Sequence, residues 1–303
     1  MWILRALLLC GVALCCAGRD QALGAAGDTF TVATYNLENY LDQPSGPRRP
    51  KPDVAKAAIR ESIRAIKPDV LALEEMGTTN ALLELRSSLK SEGLDFPYWF
   101  HVAGFDTNIH LAVLSRLPFG ARRPHTTEGF LLQGRRFHVS RGFAEVDVRV
   151  NAAYQFTLIA AHLKSRREVP EADQADLREQ EASVLREIID ARLRADPDLN
   201  LIVLGDFNDL KDSRPLRTII GRGKSALIDT RPAEKNSGAP PRDVTWTYHF
   251  IKDDTYSRID YLLLSRGMAR EWQTTATYVL ALPGWGVASD HRPIVAGFVA
   301  EDR

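Results

Sequence analysis

Leu201-Ile202-Val203-Leu204-Gly205-Asp206-Phe207-Asn208-Asp209 decides how this chain is read. Four apolar residues, two of them β-branched, are too short a run for a buried helix. They suit a strand covered on both faces. The run ends at a glycine, and two acids and an amide follow at once. The same pattern recurs outward from this stretch. Phe30 to Tyr35 reads as a strand and is followed by Asn36; Val70-Leu71-Ala72-Leu73 delivers Glu74-Glu75. Tyr154 to Ala161 ends at His162-Leu163-Lys164-Ser165, and Ser289-Asp290-His291 precedes a strand at 294–299. Strand ends on one edge of a sandwich converge on a rim, where loops place functional groups. Carboxylate and amide oxygens are hard ligands that suit Mg²⁺, Mn²⁺ or Ca²⁺. Histidines supply proton transfer or hydrogen bonds to a charged intermediate.

Each piece has a plainer explanation. Asn36 and the Asp206–Asn208 segment fit turns, Glu75 a surface acid, His162 a structural histidine, and Ser289-Asp290-His291 a cap. Asp260 lies inside the apolar run Ile259–Leu264, where a buried acid needs a partner; pairing with an arginine competes with a functional role. Five strand ends carrying these residue types together weaken all the plainer explanations at once.

Periodicity predicts helices over 54–66, 80–89 and 171–194, with further strands near 99–102, 109–114, 143–150, 259–264 and 274–280. The segments 119–139 and 231–243 read as irregular. So does 42–52, with four prolines and three basic residues. Many strands with few helices between them suggest two packed sheets with helices outside. No repeat or composition break divides the chain, so residues 28–303 are expected to form a single domain.

The chain has 303 residues, 45% hydrophobic and 26% charged, ordinary values for a globular protein. Lys plus Arg equals Asp plus Glu at 39 each, so the net charge is zero and steering toward an anion needs local patches. The beginning has one arginine, Arg5, then an apolar run from Ala6 to Ala17 and clusters of small residues. That run suits a signal peptide and is too short to span a bilayer. We expect a leader over 1–24, cleaved between 17 and 27, and a secreted or periplasmic product. Cys10, Cys15 and Cys16 all fall in the leader. The mature chain would then have no disulfide, thiolate or cysteine-zinc chemistry.

The sequence resembles the endonuclease/exonuclease/phosphatase superfamily, the deoxyribonuclease I-like fold. The resemblance rests on six ordered segments: Thr34–Asn39, Pro68–Glu75, Ala161–Ser165, Gly205–Asp209, Arg258–Tyr261 and Ser289–Ile294. It implies an α/β fold, a four-layer α/β sandwich of two packed mixed β-sheets flanked by helices. It implies a phosphoric ester hydrolase that uses in-line water attack with a divalent cation, Mg²⁺ foremost and Mn²⁺ or Ca²⁺ as alternatives. The implied metal group is Asn36, Glu75 and Asp290, with Glu74 in the place of the family's glutamine and a further negative charge there. Asp206 would orient or deprotonate water, and Asn208 would hold phosphate or metal. Asp260 would orient His291, His291 would bind the phosphate oxygens, and His162 would be a candidate acid for the leaving oxygen.

The motifs read the phosphate rather than what is attached to it. Ala161–Ser165 with Gly205–Asp209 resembles exported bacterial nuclease-like members, and basic loop residues, among them Arg116 and Lys164, are candidate substrate contacts. Nucleic acid is the expected substrate. No obligate protein partner is implied, and the chain is expected to act as a monomer. A phosphatase or phospholipase on a small or lipid headgroup is the alternative, although no long exposed apolar hairpin is legible. A catalytically inactive binding module is a third reading, opposed by the complete set of acids, amides and histidines.

Overall fold

The computed structural model describes residues 29–235 and 245–303. The expected leader lies outside them, as does most of the expected loop at 231–243. Seven strands form one sheet in the order β12 (Ala233–Lys235), β16 (Trp272–Leu280), β17 (Ile294–Val299), β1 (Thr29–Tyr40), β2 (Val70–Met76), β4 (His110–Ser115) and β3 (Tyr98–Val102). Six form the second: β11 (Ile228–Asp229), β15 (Asp260–Leu264), β10 (Leu201–Asp206), β9 (Gln155–His162), β8 (Phe143–Arg149) and β5 (Phe119–His125). Both are mixed: β1 runs parallel to β2 and β9 to β10, with antiparallel neighbours around them. Helices α1 (Asp53–Ile66) and α2 (Thr79–Ser91) cover the first sheet. Helices α3 (Gln174–Ala195) and α4 (Arg214–Ile220) cover the second, and the short α5 (Trp285–Ala288) precedes β17. This is the expected four-layer sandwich.

The layering follows from the period of two along each strand. Val70 and Ala72 of β2 face the other sheet, while Leu71 and Leu73 face α1 and α2. On β10, Ile202 and Leu204 point between the sheets, while Leu201 and Val203 meet α3 and α4. Between-sheet residues include Phe30, Phe156 and Phe298, whose stacked rings close the core far from the strand ends discussed above. Because both faces of the central strands are buried, these strands are continuous apolar runs, which is what made them legible.

The prediction of irregular structure over 119–139 is corrected. The segment contains β5 and the hairpin β6 (Gly129–Leu132) with β7 (Arg135–His138). Its arginines hid the strands. Arg123 lies on the outer face of β5 and pairs with Asp147 at 2.7 Å and with fully buried Glu145 at 2.9 Å. Residues 233–235, expected as loop, form β12, an edge strand of three residues. A second hairpin, β13 (Tyr248–Phe250) with β14 (Thr255–Ser257), was not anticipated. No described helix is long and apolar enough to cross a membrane.

Candidate active site

The inward phase of the core strands continues past the core into a polar cluster. Asn36 follows Val32 and Thr34 on β1, His162 follows Leu158 and Ala160 on β9, and Asp206 follows Ile202 and Leu204 on β10. Asp260 opens the same face of β15. All four are buried, at 1%, 1%, 1% and 2% exposure. Parallel pairing sets Asp206 beside His162, and antiparallel pairing sets it beside Asp260. Gly205 lets the chains approach this closely. Its φ is +131°, and a Cβ there would lie 2.0 Å from the Ala161 carbonyl oxygen.

Asp206 is the hub. Its carboxylate accepts from Asn36 Nδ2 at 3.0 Å, from Asn208 Nδ2 at 3.2 Å and from the Asn208 backbone N–H at 2.8 Å. His162 Nε2 lies 3.5 Å away and His291 Nε2 3.8 Å away. Burial, and next to it the charge of Asp260, push Asp206 up to about 7 against the pull of His291 and its donors. A carboxylate poised there can take a proton from water at neutral pH. Asn208 holds its position with φ 54° and also donates to the Leu163 carbonyl at 3.0 Å.

The two histidines are opposites. Burial alone would lower His291, but Asp260, Asp206 and Asp290 hold it well above its ordinary value. Its Nδ1 faces the Asp260 carboxylate at 2.9 Å, so it is an imidazolium with Nε2 turned to the site. The Tyr248 ring packs on it at 4.7 Å, and Ser289 Oγ accepts from its backbone N–H while donating to the Asn36 carbonyl. Ligand-type atoms of Asp206, Asp260 and His291 lie within 4.8 Å of one another, a possible cation site. The direct His291–Asp260 bond makes a proton-holding pair the better description. His162 goes the other way. Burial, then the charges of Arg141, His291, Arg48 and Lys164, lower it well below its ordinary value. The ring is therefore a neutral neighbour of Asp206, and the acid role expected for it needs a phosphate beside it to favour the proton.

Glu74 and Glu75 separate cleanly. Glu74 keeps the inward phase, is fully buried, and accepts from Thr34 Oγ1 at 2.7 Å. Burial, reinforced by Asp260 and Asp206, raises it well above the carboxylate range. It is therefore a neutral acid with the shape of an amide, and the expected extra negative charge is absent. Glu75 is in phase with Leu71 and Leu73 and would point into the helices. A bulge between Leu73 and Met76, with Glu75 at φ 57°, turns it to the rim instead. There its carboxylate accepts from the Asn39 N–H at 3.0 Å and lies 3.5 Å from Arg48. Asp290 is raised to about 6 by burial and by Glu38 and Glu75, with His291 opposing. Glu75 and Asp290 are the rim carboxylates, oxygen donors of the kind that suit a hard divalent cation, while Glu38 is paired with Lys51 at 2.8 Å. Asn36 stands behind this group. Its amide donates to Asp206 and accepts from the Glu38 N–H at 2.9 Å, so it positions Asp206, and Glu75 and Asp290 are the residues that could hold a metal.

The substrate-binding expectation fails for Arg116. It follows β4, and Ser115 pairs with Val70 at the far end of β2, about 20 Å along the strand from Glu75. There it binds Asp69 at 3.1 Å. Lys164 does reach the site, but its Nζ donates to the Ser165 and Arg167 carbonyls, so it shapes the loop rather than offering a free charge. Sequence reasoning missed Tyr248, whose hydroxyl stands in the field of Asp290, Asp206, Glu75 and Glu38. Its three-residue strand carries no periodic signal.

Two sheets opening on a rim of carboxylates, amides and an Asp–His pair define a phosphoesterase site. The family model for the endonuclease/exonuclease/phosphatase family matches residues 33–291, and the chain belongs to that family. Its members are metal-dependent phosphoric ester hydrolases, and this chain is one. No curated protein matches it in sequence. The human Nocturnin catalytic domain shares the fold at 16% identity, with 89% of this chain and 94% of that one covered and a TM-score of 0.63. Staphylococcus aureus beta toxin gives 17%, 88%, 99% and 0.62. Truncated Caenorhabditis elegans TDP2 gives 15%, 90%, 98% and 0.59.

Proposed function

We propose that this chain is a secreted, Mg²⁺-dependent phosphodiesterase that hydrolyses nucleic acid. The observation that carries the substrate is a groove of about 530 Å³ on the His162 side of the site. Arg48, Arg141 and Arg167 line it, with Asp106 and Glu168 also in its wall, and Lys164 holds the loop that carries Arg167. Cations ranged along a groove that leads from a phosphoesterase centre grip the phosphates beside the one being cut. Glu75 and Asp290 would hold the cation, which neutralises charge on the phosphoryl oxygens when bound. Asp206 takes the proton of the attacking water, and Asn36 and Asn208 fix its direction. His291 donates from Nε2 to a phosphate oxygen as negative charge develops. The leader over 1–24 and a mature single domain from residue 28 belong to the same proposal; N-terminal sequencing of exported protein tests them.

A lipid phosphoester is the second reading, and one observation favours it. Phe250, Ile251 and Tyr256 are exposed on the short β13–β14 hairpin, whose strands have three residues each. The mature protein with Mg²⁺ is to be assayed on plasmid DNA, RNA, sphingomyelin vesicles and a simple phosphodiester. The nuclease reading fails if DNA and RNA are untouched while a lipid or monoester is cleaved. Asp206→Ala and His291→Ala each lower turnover at least about a hundredfold.

A further inference from the structure

A second recess, of about 460 Å³, opens on the other side of Asn208. Its wall is Tyr248, Phe250 and Ile259, and Arg166 and Arg167 stand at its lip. The volume is in the ~300–1,000 Å³ range of small-ligand sites. Tyr248 and Phe250 alternate on β13, so both rings face the recess side, 6.4 Å apart and inclined by 27°. Phe250 is 39% exposed and offers its face to a ligand.

The wall is fixed to the catalytic centre. The His249 N–H donates to the Asp290 carbonyl at 2.9 Å, the Arg292 N–H to the Thr247 carbonyl at 2.7 Å, and Tyr248 forms a β-bridge with His291. On the opposite face of β13, His249 stacks on Tyr256 at 4.2 Å, and Tyr256 packs against Trp246, which the Arg292 guanidinium covers at 3.3 Å. The hairpin is thus held from behind, while its front presents aromatic rings beside the phosphate position. Arg166 is anchored, with Nε donating to the Asn208 carbonyl at 3.2 Å.

We propose that this recess seats the nucleobase next to the scissile phosphate, stacked on Phe250. The inference rests on the nucleic-acid reading. A flat ring fits a slot with aromatic walls and guanidinium groups at its mouth, because guanidinium planes and aromatic faces both stack on bases without reading their identity. The phosphate then lies between Asn208 and His291, and the strand continues into the basic groove across the shared Ser165–Arg167 ridge.

The test measures kcat/KM on thymidylyl-thymidine and on two analogues, each lacking the base on one side of the phosphate. The wild-type chain is expected to favour the intact dinucleotide over one analogue by about tenfold or more, the range of single-base stacking. Phe250→Ala removes most of that preference, and Phe250→Trp restores it. A preference that Phe250→Ala leaves intact overturns the recess while the nuclease reading survives. Failure of the wild type to cleave any dinucleotide, with cleavage of sphingomyelin, overturns the nuclease reading and the recess with it.

Discussion

Replacing Asp260 by asparagine separates the chemistry of the site from its stability. The substitution keeps the shape and an acceptor for His291 Nδ1, 2.9 Å away, but removes the charge that does most to hold the imidazolium. Burial then dominates and His291 falls. Each unit by which its pKa drops below the assay pH removes about tenfold of the protonated form. A donor to the developing phosphate charge contributes about 10²- to 10⁴-fold, or ~3–5 kcal/mol of barrier. Profiles of kcat/KM from about pH 5.5 to about 9 are the assay. The loss should approach that range at alkaline pH and shrink on acidification, as His291 regains its proton. Folding should respond the other way. Asp260 also raises Asp206 and Glu74, so its removal relieves like-charge repulsion among buried acids. The melting temperature should stay within about 3 °C of wild type or rise, the shift expected for ~1 kcal/mol. A loss below tenfold, or one uniform in pH with a lowered melting temperature, refutes His291 as the proton-bearing donor.

Three further perturbations probe the frame around it. Glu74 has a folded pKa above its unfolded one, so its burial costs stability increasingly as pH rises past the ordinary 4.5. Glu74→Gln should melt higher than wild type at about pH 8, with the gap closing towards about pH 4, and should stay active. Gly205→Ala drives a Cβ to 2.0 Å from the Ala161 carbonyl oxygen at a φ that alanine disfavours. It should cost about 1–3 kcal/mol or more in denaturant titration, with the slope unchanged. Glu75→Gln removes a rim carboxylate but no core contact, so the Mg²⁺ concentration for half-maximal activity should rise about tenfold or more while the melting temperature holds.

The sequence made the middle of the molecule legible and its edges obscure, for one reason. Central strands such as Val70–Leu73 and Leu201–Leu204 are buried on both sides, so burial writes them as unbroken apolar runs. Edge strands answer to other demands. β5 uses its outer face for the Arg123 network with Glu145 and Asp147, and β12 and β13 have three residues each. The site was legible because it grows from the ends of the readable strands. Its errors came from questions that a linear pattern cannot answer. Arg116 and Lys164 both follow a strand, but β4 runs against β9 in relation to the rim, and only register shows which end of a strand faces the site.

Protonation was equally out of reach, and it governs how so many charges share one cavity. Within a few ångströms of Asp206 the chain places Glu74, Asp260, His162 and His291, all at most 5% exposed. Were all ionised, burial would be prohibitive. Two drop out: Glu74 stays protonated and His162 stays neutral. Asp260 and His291 compensate each other across 2.9 Å. Asp206 is left near its transition, at about 7, raised by burial but held down by His291 at 3.8 Å and by its amide donors. Glu75, 3.5 Å from Arg48, and Asp290 stand further out, their side chains 17% and 23% exposed, where a divalent ion can enter from water. Catalytic charge is thus divided between a buried group, where Glu74, Asp206, Asp260 and His291 are all at most 5% exposed, and the rim acids Glu75 and Asp290. A single strand phase delivers the inner members, and the bulge at Glu75 delivers the outer one, which is why a strained backbone at that residue is retained.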